Sequence, residues 1–210
     1  MKHKRPLLPL PDYQRIYQVI YSVLEASEVA RTHRACILFT IAGTLILREH
    51  YKLPATISAG FMGMMVDEKS STVAMYGRMG DGPESDGQAF HAWVECQGWL
   101  IDFMAPIMGM AFKEDGHPLD VPRWMLQKPL TERKSDINEL QRVGDIYLEH
   151  DFALAESLLD SQSAGSIDLA EVCTAWFRRP PRALKEMALG DSHGKPKQLV
   201  LRAPSIDGVW

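Results

Sequence analysis

The stretch His91-Ala92-Trp93-Val94-Glu95-Cys96-Gln97-Gly98-Trp99-Leu100-Ile101-Asp102-Phe103-Met104 decides how this chain is read. Two apolar, aromatic-rich runs, Phe90 to Cys96 and Trp99 to Met104, flank Gln97-Gly98, which is the pattern of two strands joined by a two-residue hairpin turn. A turn of that length sets Cys96 opposite Trp99, Trp93 opposite Asp102 and His91 opposite Met104. Side chains alternate along a strand, so His91, Trp93 and Glu95 share one face. Asp102 lies on that face too, diagonal to His91. Such neighbours are roughly 7–8 Å apart at the backbone, within reach of a His–carboxylate hydrogen bond. A turn of odd length would send Asp102 to the other face. A His–Asp pair on one sheet face orients the imidazole and stabilises its protonated form.

Upstream of the hairpin, Ile16, Val19, Ile20, Val23 and Leu24 recur at helical spacing within Asp12 to Glu28 and predict an amphipathic helix. Thr32 can cap a second helix running to about Glu49. From Ala35 to Leu47 every face of it is apolar or neutral, so it belongs at the centre of the domain. Cys36 falls in its first turn, where the helix dipole and free N–H groups favour a thiolate and suit an oxyanion. Thr56 to Val66 and Thr72 to Tyr76 read as strands. Gly80 to Gly87 is a polar, glycine-rich loop, and no Gly-Lys-Ser/Thr follows to make it a phosphate site. Helices first and an antiparallel meander after them define an α+β protein.

Downstream, Ala105 to Lys134 holds four of the thirteen prolines and little periodicity, which predicts an irregular segment wrapping the site. Ile137 to Leu159 and Leu169 to Phe177 read as helices. Pro180-Pro181 is suited to open another helix through Leu189, and Leu199-Val200-Leu201 reads as a late strand. The expected organisation is a single domain over 1–210. Its catalytic half spans about 12–106, the irregular segment 105–136 and a helical C-terminal part 137–210. Three roles are open to the C-terminal helices: packing on the core, a homodimer contact, or a separate subdomain.

Composition narrows the function classes. Apolar and charged fractions of 46% and 24% set aside disorder and coiled coil. A formal net charge of −4 with scattered Lys and Arg gives no footprint for nucleic acid or an anionic membrane. The basic start Lys2-His3-Lys4-Arg5 is followed by Pro6-Leu7-Leu8-Pro9-Leu10-Pro11, too short and proline-broken for a signal sequence. The longest uncharged apolar run, Ala35 to Leu47, falls short of the roughly 20 residues that span a bilayer. The expectation is a soluble, cytoplasmic protein. Cys36, Cys96 and Cys173 have neither disulfide nor zinc spacing, and the histidines show no HExxH. No metal or other cofactor is expected.

A Cys at the head of a buried helix, a later His91-Ala92-Trp93-Val94-Glu95 strand and a Gly98-Trp99-Leu100-Ile101-Asp102 strand together resemble the transglutaminase-like superfamily. The similarity spans about Thr32 to Pro106. It implies a papain-like fold in which the central helix carries Cys36 as nucleophile, against an antiparallel sheet carrying His91 as base and Asp102 as orienting carboxylate. The branch implied is an uncharacterised, bacterial-type one. Around the nucleophile this chain has Arg34-Ala35-Cys36-Ile37, where transglutaminases usually have Gly-Xaa-Cys-Trp. That leaves the side-chain donor of an oxyanion hole to be found. Arg31, His33 and Arg34 are long enough to replace it, and Trp93, beside the base, is placed to line a substrate channel.

The chemistry so implied is formation of a thioester at Cys36 and transfer of the acyl group to water or an amine. The partner would be a small-molecule or peptide substrate. The alternative is an inactive relative of the same fold acting as a binding or assembly module. It would keep an ordinary Cys36 thiol.

Overall fold

The computed structural model describes residues 6–28, 31–117, 119–190 and 195–210. The basic start Lys2 to Arg5 lies outside the described residues. Its helices are α1 (Leu10–Ser27), α2 (Cys36–Tyr51), α3 (Met108–Glu114), α4 (Phe152–Asp160) and α5 (Ala164–Trp176). The strands are β1 (Thr56–Asp67), β2 (Thr72–Tyr76), β3 (Arg78–Met79), β4 (Pro83–Glu84), β5 (His91–Cys96), β6 (Trp99–Asp102), β7 (Trp124–Pro129), β8 (Ile146–His150), β9 (Ala188–Gly190), β10 (Pro196–Gln198) and β11 (Gly208–Val209). The class is α+β, with one principal sheet ordered β11-β7-β6-β5-β1-β2 and β8 added alongside β1. All of its pairings are antiparallel except β11 against β7.

The helical stripe of α1 is buried as its spacing requires, with Tyr13, Ile16, Ile20 and Val23 fully covered. Thr32–Arg34 forms a separate 3-10 turn rather than the start of the second helix, so α2 begins at Cys36 itself. Uniformly apolar α2 is enclosed between α1, α5 and β5. Side chains of Ala92, Val94, Cys96 and Ile101 meet these helices in one core, while Met62, Met64, Trp93, Leu100 and Leu126 pack with Met108 and Val121 in another. The sheet therefore has both faces covered, which is why β1 is buried over most of its length instead of alternating. Gly43, midway along α2, receives the Phe103 ring; a Cβ there would lie 2.4 Å from it. That contact sets how closely the helix approaches the β6 corner.

The pairing of β1 fixes where the site forms. Gly60 faces His91 of β5 and His150 of β8, and Met62 faces Tyr76 of β2 and Leu148 of β8. Since β8 runs unbroken along one edge, β5 and β2 share the other, end to end. At Gly60, φ is +152° and a Cβ would lie 2.0 Å from the Glu149 carbonyl oxygen, so only glycine permits the approach of β8. The hairpin between β5 and β6 has the expected register, Cys96 with Trp99 and Val94 with Ile101. Its turn residues Gln97 and Gly98 both have positive φ, 51° and 78°, as a two-residue type I′ turn demands.

Four stretches differ from expectation. Residues 105–134 are not irregular throughout, since they hold α3 and also β7, which pairs with β6 and sets Leu126 opposite Asp102. Between Pro122 and Pro129, β7 is too short for its alternation to stand out. The segment 137–159 is not one helix. Leu140, Val143 and Tyr147 mimic helical spacing, but Gly144 takes φ +82° and Ile146 to His150 form β8 on the open edge of β1. Asp151 then caps α4 by accepting a hydrogen bond from the Leu154 amide. No helix forms between Pro181 and Leu189, because Trp176 Nε1 donates to the Lys185 carbonyl at 2.9 Å and draws that stretch across α5 as extended chain. The late strand is Pro196–Gln198, paired with β9, rather than Leu199 to Leu201. The part after 137 thus adds two strands, β8 and β11, to the principal sheet and packs α5 on the core, instead of being helical throughout. No helix among the described residues is long and apolar enough to cross a membrane.

Candidate active site

The hairpin register delivers Asp102 to the His91 face. His91 Nε2 and Asp102 Oδ2 are 2.9 Å apart, and both side chains are buried, at 0% and 2% exposure. The second carboxylate oxygen, Oδ1, accepts the Met104 amide at 2.8 Å. The Asp102 carbonyl accepts the hydroxyl of Tyr13, delivered from α1. Asp102 is thereby held at both side chain and backbone, and the ring it faces is oriented with it. This hydrogen bond fixes Nε2 as the nitrogen turned to the carboxylate.

The opposite ring nitrogen, Nδ1, is buried and makes no close hydrogen bond. It is the nitrogen left for Cys36, which interacts with the ring electrostatically. Cys36 is the first residue of α2, and no side-chain cap closes that helix start. Its leading N–H groups have no intrahelical acceptors and carry the positive end of the helix dipole. Burial alone would lower the His91 pKa. The charge and hydrogen bond of Asp102, joined by Cys36, outweigh burial and raise it to about 10. An imidazole in this setting keeps its proton through neutral pH. Cys36, His91 and Asp102 are thus brought together as a thiol, an imidazole and a carboxylate in sequence.

The other singled-out residues have partners of their own. Arg31, His33 and Arg34 are committed to α3: Arg31 pairs with Glu114 at 2.8 Å, His33 with Glu114, and Arg34 with Glu114 and Asp115. They clamp the 3-10 turn ahead of Cys36 to α3. Trp93 is fully buried, so it lines no open channel. Its Nε1 donates to Glu95 Oε1 at 2.9 Å, and Glu95 pairs with His150 at 2.5 Å. Burial would raise the Glu95 pKa, but the hydrogen bonds from His150 and Trp93 outweigh it and lower it. The remaining cysteines are core residues: burial raises the pKa of Cys96, and raises that of Cys173 further. No group of three His, Cys, Asp or Glu among the described residues is placed to hold a metal ion.

Two residues at the site were not singled out from sequence. Tyr13 carried only the signal of a core position on α1. Tyr76 ends β2 and meets His91 because both strands pair with one edge of β1, with ring centroids 4.5 Å apart. Tyr76 also lines a cleft of about 680 Å³ between β2 and α3, whose wall includes Arg34, Phe112, Asp115, His117 and Leu119. Cys36 and His91 do not themselves line it, and Cys36 is 8% exposed.

A family model described as "Protein of unknown function (DUF2026)" matches residues 9–210. The chain is a member of that family. It is similar to a solved structure described as "The crystal structure of genomics APC5867", at 33% identity with a TM-score of 0.83, over the full length of both chains. No curated protein matches it in sequence.

Proposed function

We propose that this chain is a thiol-dependent acyl-transfer enzyme of papain-like, transglutaminase-type layout, forming a thioester at Cys36. The observation that carries the reading is the polarity of the His91 ring, with Nε2 bonded to a buried, fully satisfied carboxylate and Nδ1 left over at the open start of α2. In this scheme His91 already holds the proton given up by the thiol, and the sulfur attacks a carbonyl carbon. The imidazolium then returns the proton to the leaving amine, alcohol or thiol. Water or an amine accepts the acyl group in the second half, with the same imidazole as base. Hydrolysis is favoured, since water needs no second binding site.

Support also comes from what surrounds the three groups. Asp102 is held at its side chain by Met104 and at its backbone by Tyr13, and burial strengthens its hydrogen bond to His91. The test is acylation by p-nitrophenyl acetate, read as a burst of p-nitrophenolate and an acetyl mass on the Cys36 peptide. Loss of both in Cys36→Ala and in His91→Ala is expected. The second reading, a binding module, draws on the 8% exposure of Cys36 and on the cleft not reaching the thiol. A Cys36 that takes no acetyl group in the folded protein would favour it.

A further inference from the structure

We infer that the Tyr76 hydroxyl is the side-chain donor of an oxyanion site, acting with the free N–H groups at the start of α2 on the carbonyl of an ester, thioester or amide. The inference rests on the acyl-transfer reading of Cys36 and supplies the donor that Arg31, His33 and Arg34, held by α3, do not provide.

Among the buried polar atoms of the described residues that lack a hydrogen-bond partner are His91 Nδ1 and Tyr76 Oη. They belong to rings 4.5 Å apart at one end of α2. An orphaned buried hydroxyl costs on the order of 1–3 kcal/mol, and phenylalanine would fill the same space without that cost. Retaining the hydroxyl makes sense if a ligand atom arrives to accept its proton. Tyr76 is also the residue common to the His91 contact and the wall of the cleft beside α3. A carbonyl entering from that cleft meets the phenol on its way to the thiol.

The hydroxyl is suited to donate. Its burial, and the charges of Asp102 and Cys36, raise its pKa, with Arg34 opposing them more weakly, so the phenol stays protonated. In the reaction the Cys36 sulfur forms a bond to the carbonyl carbon and the π-electron pair moves to oxygen. That oxygen accepts hydrogen bonds from Tyr76 Oη–H and the helix-start amides while the phenol keeps its proton. When the pair returns, the bond to the leaving group breaks, and the leaving group takes the proton from His91.

Two reagents separate this role from a structural one. Iodoacetamide alkylates a thiolate by displacement and forms no oxyanion, whereas p-nitrophenyl acetate must form one. In the full-length protein, with Cys36→Ala as blank, Tyr76→Phe should alkylate at the parental rate and acylate slower by roughly 10²-fold. Its thermal stability should hold or rise, because an unsatisfied buried hydroxyl has been removed. Equal acylation by parent and variant would overturn the inference while leaving the Cys36 reading intact. Equal slowing of both reactions with a drop in stability would make Tyr76 a packing residue and also overturn it. If parental Cys36 reacts with neither reagent, the acyl-transfer reading fails and this inference falls with it. Should Tyr76→Phe not fold, 3-fluorotyrosine at position 76 keeps the hydroxyl and makes it a stronger donor. Faster acylation with unchanged alkylation then supports the inference, and no change overturns it.

Discussion

Replacing Asp102 by Asn tests whether the buried carboxylate holds His91 as an imidazolium. The comparison is best made in a Cys36→Ala background, where no thiol proton enters the count. The Asp102 charge and hydrogen bond raise the His91 pKa against the opposing effect of burial and remain in that background. Above pH 6.5, the ordinary histidine value, the unfolded chain has released a proton that the folded protein keeps up to its raised pKa, about 10 with Cys36 present and lower once Cys36 is replaced. Stability from this pair is therefore fully present below pH 6.5 and is lost as pH rises through the folded value. The slope is up to ~1.4 kcal/mol per pH unit. Between pH 6.5 and about 8.5 this amounts to at most ~2–3 kcal/mol. Asn at 102 keeps the size of the side chain and the acceptor for the Met104 amide but removes the charge, leaving only burial to act on His91. The slope should vanish. Urea unfolding of Cys36→Ala and of Cys36→Ala/Asp102→Asn at the two pH values reads this directly, and the difference between variants cancels every other titrating group. Parallel pH dependences in the two proteins would refute the claim that Asp102 sets the protonation of His91.

Alkylation of the native protein should be confined to Cys36, because burial raises the pKa of both Cys96 and Cys173. Peptide mapping after brief exposure to iodoacetamide checks this, and equal labelling of Cys173 would contradict it. Tyr13→Phe removes the hydroxyl that donates to the Asp102 carbonyl and should cost about 1–3 kcal/mol in urea unfolding. Acetylation of Cys36 should slow with it, as the Asp102 backbone loses its anchor to α1. Gly43→Ala places a methyl group 2.4 Å from the Phe103 ring. A loss of about 1–3 kcal/mol is expected, partly recovered when Phe103→Leu is added; a Tm equal to the parent's would show that the helix can shift freely.

The hairpin was the most legible part of the sequence. Gln97-Gly98 specifies a two-residue turn, that turn specifies register, and register places Asp102 beside His91. Buried α2 was legible for a similar reason, since no solvent-facing stripe interrupts Ala35 to Leu47. Local pattern alone did not reveal pairings decided at a distance. Ile146 to His150 becomes a strand because β1 offers it an edge, and Trp124 to Pro129 because β6 does. Tyr76 escaped notice for the same reason: its nearness to His91 depends on two strands sharing one edge of β1, which no spacing within β2 records. Arg31, His33 and Arg34 looked free to serve the thiol only because Glu114 and Asp115 lie some eighty residues away in the chain.

Because β2 and β5 lie end to end along one edge of β1, the excursion from Gly77 to Phe90 leaves the sheet and returns to the same line. Met79, Gly80 and Asp81 at its tip are exposed. A single peptide-bond scission there would not separate the halves. The first piece would carry α1, α2, β1 and β2, the second β5 to β8 and α5, with the pairings of β1 to β5 and β8 bridging the cut. Cys36 and Tyr76 would then sit on one polypeptide and His91 and Asp102 on the other. The two could be expressed apart and mixed, so that chemistry at Cys36 reports on the reunion of the fragments.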